Sequence, residues 1–222
     1  ILITMQITAA QLRTALPPDS LFAQKQWRIS PAPFPLTQKQ VQELERLGHQ
    51  LFLFQKACND LYALSADGRQ PAWIAQLLDI GKPPELVALS RERAFRNALP
   101  KVIRPDLLLT ESGFILCELD SIPGGIGLTA SLNETYHQLG FPVLGGPDAM
   151  LQGFSSIAPN ADIIISAEAS TYLPEMQWIA ERTGQRVVHA ETYAQQQDPR
   201  PNAYRFFELF DLPNIPNISA PV

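Results

Sequence analysis

The sequence predicts an α/β fold, on three observations. Apolar residues keep helical spacing over much of the first hundred positions. Near residue 102 the pattern changes to β-branched and aliphatic runs, and from residue 161 a strand, a helix and a strand follow one another, the order of a parallel βαβ unit. The chain therefore divides into a mainly helical region over 1–100 and an α/β region over 101–222, with one continuous domain as the alternative; 222 residues suffice for either arrangement.

The helices are justified in order. A short one is expected near residues 8–16, before Pro17-Pro18 and the series Pro31, Pro33, Pro35, which favours extended backbone. Thr37 with Gln40 forms a capping-box start, and Val41, Leu44, Leu47, Leu51, Phe54, Cys58, Leu61 and Leu64 continue at helical spacing to about Ser65. That stripe reads as a core face. Pro71 fits the first turn of a helix through Trp73, Ile74, Leu77 and Leu78, stopped by Gly81 and Pro83-Pro84, and a third helix is expected over 85–99.

Residues 107–110 and 114–119 are strand-like and are split by Glu111-Ser112-Gly113, a hairpin signal. A glycine-rich stretch, 123–127, then leads to a helix expected over 129–139 and ended by Gly140. Strands over 161–166 and 186–190 flank a helix over 173–182. There is no internal repeat.

An apolar fraction of 45%, a charged fraction of 18% and a net charge of −5 describe an ordinary folded chain. With no run of Lys or Arg, they argue against nucleic acid or a membrane surface as partner. No transmembrane span or signal peptide is indicated, and a cytoplasmic protein is expected. Residues 1–4 preceding Met5 and the Pro-rich residues 213–222 suggest a piece of a longer protein. Cys58 and Cys117 are too few for a disulfide framework and read as reduced core residues, while His49, His137 and His189 fall on separate elements with no metal spacing.

The chemistry concentrates in the hairpin. If Thr110 faces Phe114, facing residues have numbers summing to 224, so Asp106 faces Glu118 and Arg104 faces Asp120. Alternation then puts all four side chains on one side of the sheet. Facing β-carbons stand about 4.5–5.5 Å apart, where like charges destabilise, so three carboxylates there need a cation. Arg104 supplies one charge, and a divalent ion with oxygen ligands, magnesium shared with substrate phosphates, would supply the rest. The pattern also describes a solvated strand face with an Arg104–Asp120 pair, and a slip of one residue would scatter the patch. Gly124, Gly125 and Gly127, next in sequence and leading into a helix, can aim backbone N–H groups at an anion; a plain tight turn is the more frequent explanation.

The segment RPDLLLTESGFILCELDSIPGGIGLT resembles the metal-binding core of the circularly permuted ATP-grasp family, the group that includes the synthetase domain of glutathionylspermidine synthase. There an Arg-x-Asp and a Glu-x-Asn are separated by a hairpin. Arg104, Asp106 and Glu118 match in type and spacing, while Asp120 stands at the position of the Asn and adds a negative charge. The segment DIIISAEASTYLPEMQWIAERTGQRVVHAE resembles the family's strand, helix and strand, in which Glu175 is the helix glutamate. The likeness extends loosely over residues 85–195, and the hairpin is its specific part.

The resemblance implies a βαβ unit of pre-ATP-grasp type within a larger ATP-grasp fold. It implies an ATP-dependent carboxylate–amine ligase that forms an amide through an acyl phosphate. ATP and magnesium are the implied cofactors, and a small-molecule or peptide carboxylate and an amine the implied substrates. Asp106, Glu118 and Asp120 would hold the metal, Arg104 would act catalytically on the phosphoryl group, and Gly124, Gly125, Gly127 and Glu175 would line the phosphate or substrate. The family's lysines and adenine pocket find no match in this sequence, so either a further nucleotide-binding half supplies them or the chain is a non-catalytic binding or scaffold module on the same fold.

Overall fold

The computed structural model describes residues 7–16 and 27–215; the readings of residues 1–5, of Pro17-Pro18 and of 216–222 lie outside the described residues. Four helices come first: α1 (Ala9–Ala15), α2 (Gln38–Ala66), α3 (Ala72–Asp79) and α4 (Pro84–Ser90). Both α1 and α2 open on the same device. The Thr8 and Thr37 hydroxyls each accept a hydrogen bond from the N–H of the glutamine three residues on, and the side-chain oxygens of Gln11 and Gln40 accept in turn from the threonine N–H groups. These starts satisfy backbone donors that have no partner inside the helix.

The helix expected over 85–99 ends instead at Ser90 and gives way to a series of turns through Asn97. Polar anchors hold those turns against neighbouring helices: Arg91 pairs with Asp79 at 2.6 Å, Arg96 pairs with Asp67, and the Asn59 side chain donates to the Arg96 carbonyl at 2.7 Å. The expectation of a buried stripe along α2 is also corrected. Leu51 is buried, but Phe54 is 53% and Leu61 41% exposed, since among the described elements α3 is the principal one packed along α2.

The hairpin follows, β1 (Arg104–Thr110) with β2 (Gly113–Asp120), and then α5 (Ile126–Gln138), three residues longer at its start than the sequence suggests. Next come α6 (Ala149–Ile157), β3 (Ala161–Ile165), a 3-10 turn (Glu168–Tyr172), α7 (Leu173–Thr183), β4 (Arg186–His189), α8 (Ala190–Tyr193), β5 (Asn202–Phe206) and a second 3-10 turn (Leu209–Asn214). The expected β3-α7-β4 unit is present and parallel, and β5 adds a third parallel strand on the far side of β3, giving the order β4-β3-β5. Sequence reading missed α6 and β5. The fold is mixed α/β, with one antiparallel pair and one parallel sheet.

All five residues of β3 are buried, as a central parallel strand covered on both faces requires. Ile163 and Ile165 enter a core shared with Ala130 of α5, Phe154 of α6, Met176 and Ile179 of α7, and Phe206 of β5. A smaller cluster joins Leu12 of α1, Ile29 and Tyr136 of α5, and the Tyr136 hydroxyl donates to the Ser30 carbonyl at 2.8 Å. The N-terminal segment is thereby fastened to the α/β region. No helix among the described residues is long and apolar enough to cross a membrane.

Two acids are buried in this framework, Asp162 and Glu175. Asp162 of β3 is fully buried and accepts hydrogen bonds from Arg186 Nε at 2.7 Å, Arg186 Nη2 at 2.9 Å and the Arg200 N–H at 3.0 Å. Burial by itself would raise its pKa, but the hydrogen bonds from Arg186 and Arg200 and their charges together outweigh burial and hold the carboxyl below its usual value. The stabilisation is therefore fully present above the unfolded-state pKa, about 4, and is lost as pH falls through the lower folded-state value. Asp162→Asn should cost about 2 kcal/mol at neutral pH, less than breaking a fully buried pair because Arg186 reaches solvent. It should also flatten the acid limb of a stability-against-pH curve from urea melts; an unchanged limb would show that the pair is not linked to folding.

Candidate functional site

The hairpin reaches the expected juxtaposition by an unexpected route. The connection is two residues long, Glu111-Ser112, so Thr110 pairs with Gly113 and not with Phe114. Partners from Thr110 to Leu107 consequently sum to 223. A bulge then inserts Cys117 between Leu116, which faces Leu107, and Glu118, which faces Asp106. The register of 224 expected throughout thus holds for the charged end alone: Asp106 faces Glu118, Pro105 faces Leu119 and Arg104 faces Asp120. Cys117 is exposed, as is Cys58, so neither is a core residue; the Cys117 thiol donates to the Asp106 carbonyl at 3.2 Å inside the bulge.

Arg104, Asp106, Glu118 and Asp120 share one face by this pairing. Arg104 is the hub of that face. Its Nε donates to Asp106 Oδ1 at 3.2 Å, its Nη2 stands 3.3 Å from Asp120 Oδ2, and its Nη1 donates to the Gly124 carbonyl at 3.1 Å. The second oxygen of Asp120, Oδ1, accepts the Ile122 N–H at 2.9 Å, which fixes the chain as it leaves the strand. Glu118 is exposed and has no ion-pair partner among the described residues. The three carboxylates are not drawn together: among the described residues no group of three or more His, Cys, Asp or Glu is placed to hold a metal ion.

The glycine stretch serves packing more than approach by a ligand. Gly125 caps α5 with φ of 91°, a backbone conformation that disfavours other residues. A β-carbon on Gly124 would lie 2.2 Å from Cε1 of Tyr172, and one on Gly127 2.6 Å from Cγ of Glu175, so the chain's own side chains fill those spaces. Glu175 is 1% exposed, and its Oε1 accepts the Gly127 N–H at 2.9 Å. A buried carboxylate from α7 thus meets the positive end of α5, where an anion is favoured. Gly127 and Glu175, both expected to line a phosphate or substrate site, are joined to each other by this hydrogen bond. His49, His137 and His189 are all exposed on separate elements.

Beside the patch, and sharing Arg104, Asp120 and Gly124 with it, lies a cleft of about 250 Å³. It opens at the carboxyl ends of β3 and β5, where open α/β sheets commonly take ligands. Tyr172 and Phe206 meet edge to face there, 5.3 Å between ring centres, with Glu168, Glu208 and Asp211 around them. Glu168 is held above the usual carboxylate range by its hydrogen bond to Asp211 and then by the negative charge of that group. Sequence reading missed these residues because it missed β5, although Tyr204-Arg205-Phe206-Phe207 is a β-prone run shortly after Pro199 and Pro201. A larger apolar groove of about 680 Å³ lies between α4 and the second 3-10 turn, with Glu85 and Glu92 as its charged lining among the described residues.

In comparisons with known proteins, no family model matches the chain, no curated protein matches it significantly, and no solved structure does.

The contact over Gly124 makes a direct prediction. Gly124→Ala drives a methyl group into an aromatic ring and should cost about 1–3 kcal/mol, as overpacking does, with part regained in the double variant Gly124→Ala/Tyr172→Ala. Chemical denaturation reads both. If Gly124→Ala unfolds at the wild-type midpoint, the ring does not lie over the glycine.

Proposed function

We propose that this chain carries the metal- and phosphate-handling part of an ATP-dependent carboxylate–amine ligase of the circularly permuted ATP-grasp type. One observation carries the reading: the bulged register that sets Arg104 and three carboxylates on one exposed face, in the spacing of the RPDLLLT and CELD segments. The donor set is of the right chemical type, since hard cations such as magnesium take carboxylate oxygens, and Asp106, Glu118 and Asp120 would supply them. When bound, the ion would supply positive charge to offset that of the phosphates.

The chain's own residues have distinct parts in that reaction. A substrate carboxylate attacks the γ-phosphate of ATP, giving an acyl phosphate and ADP; an amine then attacks the acyl carbon, phosphate leaves, and the amide is formed. Arg104 presents a planar guanidinium that can grip two phosphoryl oxygens and stabilise charge in transfer. Glu118, the exposed carboxylate without an ion-pair partner, is the group with most freedom to turn toward an incoming cation. Adenine recognition and the assisting lysines would come from a further nucleotide-binding half.

A second reading is a non-catalytic binding or scaffold module. What favours it is the internal pairing of Arg104 with Asp106 and Asp120, which leaves the patch partly balanced without any ligand. The two readings predict opposite behaviour at position 118. For a ligase, Glu118→Gln should reduce ligation steeply with partial recovery at high magnesium, and Arg104→Met should abolish it by several kcal/mol of barrier with no recovery. For a scaffold, Glu118→Gln should be neutral or slightly stabilising, because it removes like-charge repulsion opposite Asp106. ATP consumption with candidate acids and amines, run beside thermal melts on the protein with its nucleotide-binding half, separates them; unchanged turnover in both variants would end the ligase assignment.

A further inference from the structure

α4 buries none of its seven residues, although Leu86, Val87 and Leu89 are apolar. Its C-terminal end is fastened: Arg91 pairs with Asp79 at 2.6 Å, and the Ser90 hydroxyl lies 3.4 Å from that of Tyr62. Elsewhere it faces the second 3-10 turn across the apolar groove of about 680 Å³, with Leu86 and Leu89 on one wall and Leu209 and Leu212 on the other. A helix this short is marginal in water by propensity alone and draws its stability from packing of an apolar face. Packing along Leu86 and Leu89 would strengthen it.

The charges of the groove select what can fill it. Glu85 and Glu92 are exposed and have no ion-pair partner among the described residues; Arg91 and Arg96, close by in sequence, pair instead with Asp79 and Asp67. We propose that this groove docks an amphipathic helix of a partner protein, with apolar side chains in the groove and two Lys or Arg residues against Glu85 and Glu92. The N–H groups of Arg91 and Glu92 bond to the Ala88 and Leu89 carbonyls, which continues the helical rise past Ser90. Seven positions then rise about 10–12 Å, which matches cations seven positions apart on a partner helix, and helix-in-groove recognition takes its apolar anchors at the positions between. Other occupants fit less well. A small-molecule site needs polar groups that converge to orient its ligand, and apart from the two glutamates the described side chains lining this groove are aliphatic or proline. The walls are helical turns, which offer an extended segment no strand edge to pair with. A second copy related by a twofold axis would set the same glutamates against each other, on a chain of net charge −5. None of the lining residues belongs to the hairpin, so the occupant does not depend on the ligase reading.

The test uses the full chain and two fluorescein-labelled synthetic helices, alike in a leucine face and different only in carrying lysine or glutamate at two edge positions seven residues apart. Fluorescence anisotropy at low salt should show saturable binding of the lysine helix, with the glutamate helix several-fold to about tenfold weaker, the scale of two exposed ion pairs. Added salt should shrink the difference by screening those pairs. In Glu85→Lys/Glu92→Lys the order of the two helices should reverse. Ala88 is exposed and lines the groove, so Ala88→Trp fills it without disturbing a core and should abolish binding while the thermal midpoint holds. No binding of the lysine helix, equal binding of both helices by wild type, or an unchanged order in the charge-reversed variant would overturn the proposal. So would undiminished binding by a folded Ala88→Trp, which would put the peptide on another apolar face such as that of α2 and α3. Self-association of wild type in sedimentation, lost in Ala88→Trp, would give the groove to a second copy and overturn it too. The same holds for binding seen only after residues 216–222 are deleted, which would assign the groove to that segment.

Discussion

Alternation of side chains across a strand leaves no half measures: one residue more or fewer, and every charge changes face. In this hairpin two departures from regularity offset each other. The connection is one residue shorter than the local signals suggest, which by itself would move Glu118 and Asp120 out of line with Asp106 and Arg104. Cys117, inserted between Leu116 and Glu118, restores the phase for the last three pairs. Everything near the patch depends on that insertion: the span of Arg104 between its two acids, the tether from Asp120 to Ile122, and the wall that Arg104, Asp120 and Gly124 lend to the neighbouring cleft.

Carboxylates are stabilised in three different ways within this short stretch of fold. On the open hairpin face a guanidinium balances them, in solvent that weakens each pair to a fraction of a kcal/mol or about one. At the start of α5 the buried carboxylate of Glu175 meets a backbone N–H and the helix dipole. At the start of β3, Asp162 receives two guanidinium N–H groups and a backbone N–H with no solvent of its own. The two buried cases fix elements relative to one another: Glu175 ties α7 to α5, and Asp162 ties β3 to β4 and to the turn before β5. The exposed case is the one free to exchange partners, which is why chemistry is sought there.

What could be read from the sequence was local. The threonine–glutamine caps of α1 and α2 are pairs three residues apart and need no tertiary context, and the β3-α7-β4 unit announces itself by a run of isoleucines, an amphipathic helix and a second aliphatic run. The hairpin's charged residues were legible as a patch, yet their register was not, since turn length and bulge position are settled by the pairing itself. The helix expected beyond Ser90 failed because Arg91 and Arg96 find acids on other elements, a competition invisible in helical periodicity. β5 is five residues long and α6 contains Gly153 and two serines, so neither carries a strong signal by itself. Glu175 and Gly127 lie 48 positions apart. Sequence can propose each as a ligand residue but cannot show that they bind one another.

The apolar face of α2 has a further consequence for the behaviour of the chain in solution. Phe52, Leu53 and Phe54 stand exposed in succession, and Trp73, Leu77, Leu78 and Ile80 are exposed around the adjacent α3. Copies of such a molecule are kept apart by charge, here a net −5. That repulsion is long-ranged only in dilute buffer: near 0.15 M salt it is screened beyond about 8 Å, whereas the attraction between oily faces is not weakened by salt and is strengthened by sulfate or phosphate. The colloidal state of the isolated chain is therefore governed by ionic strength, with low salt and a pH well above neutrality favouring dispersed molecules and salting-out ions favouring clusters.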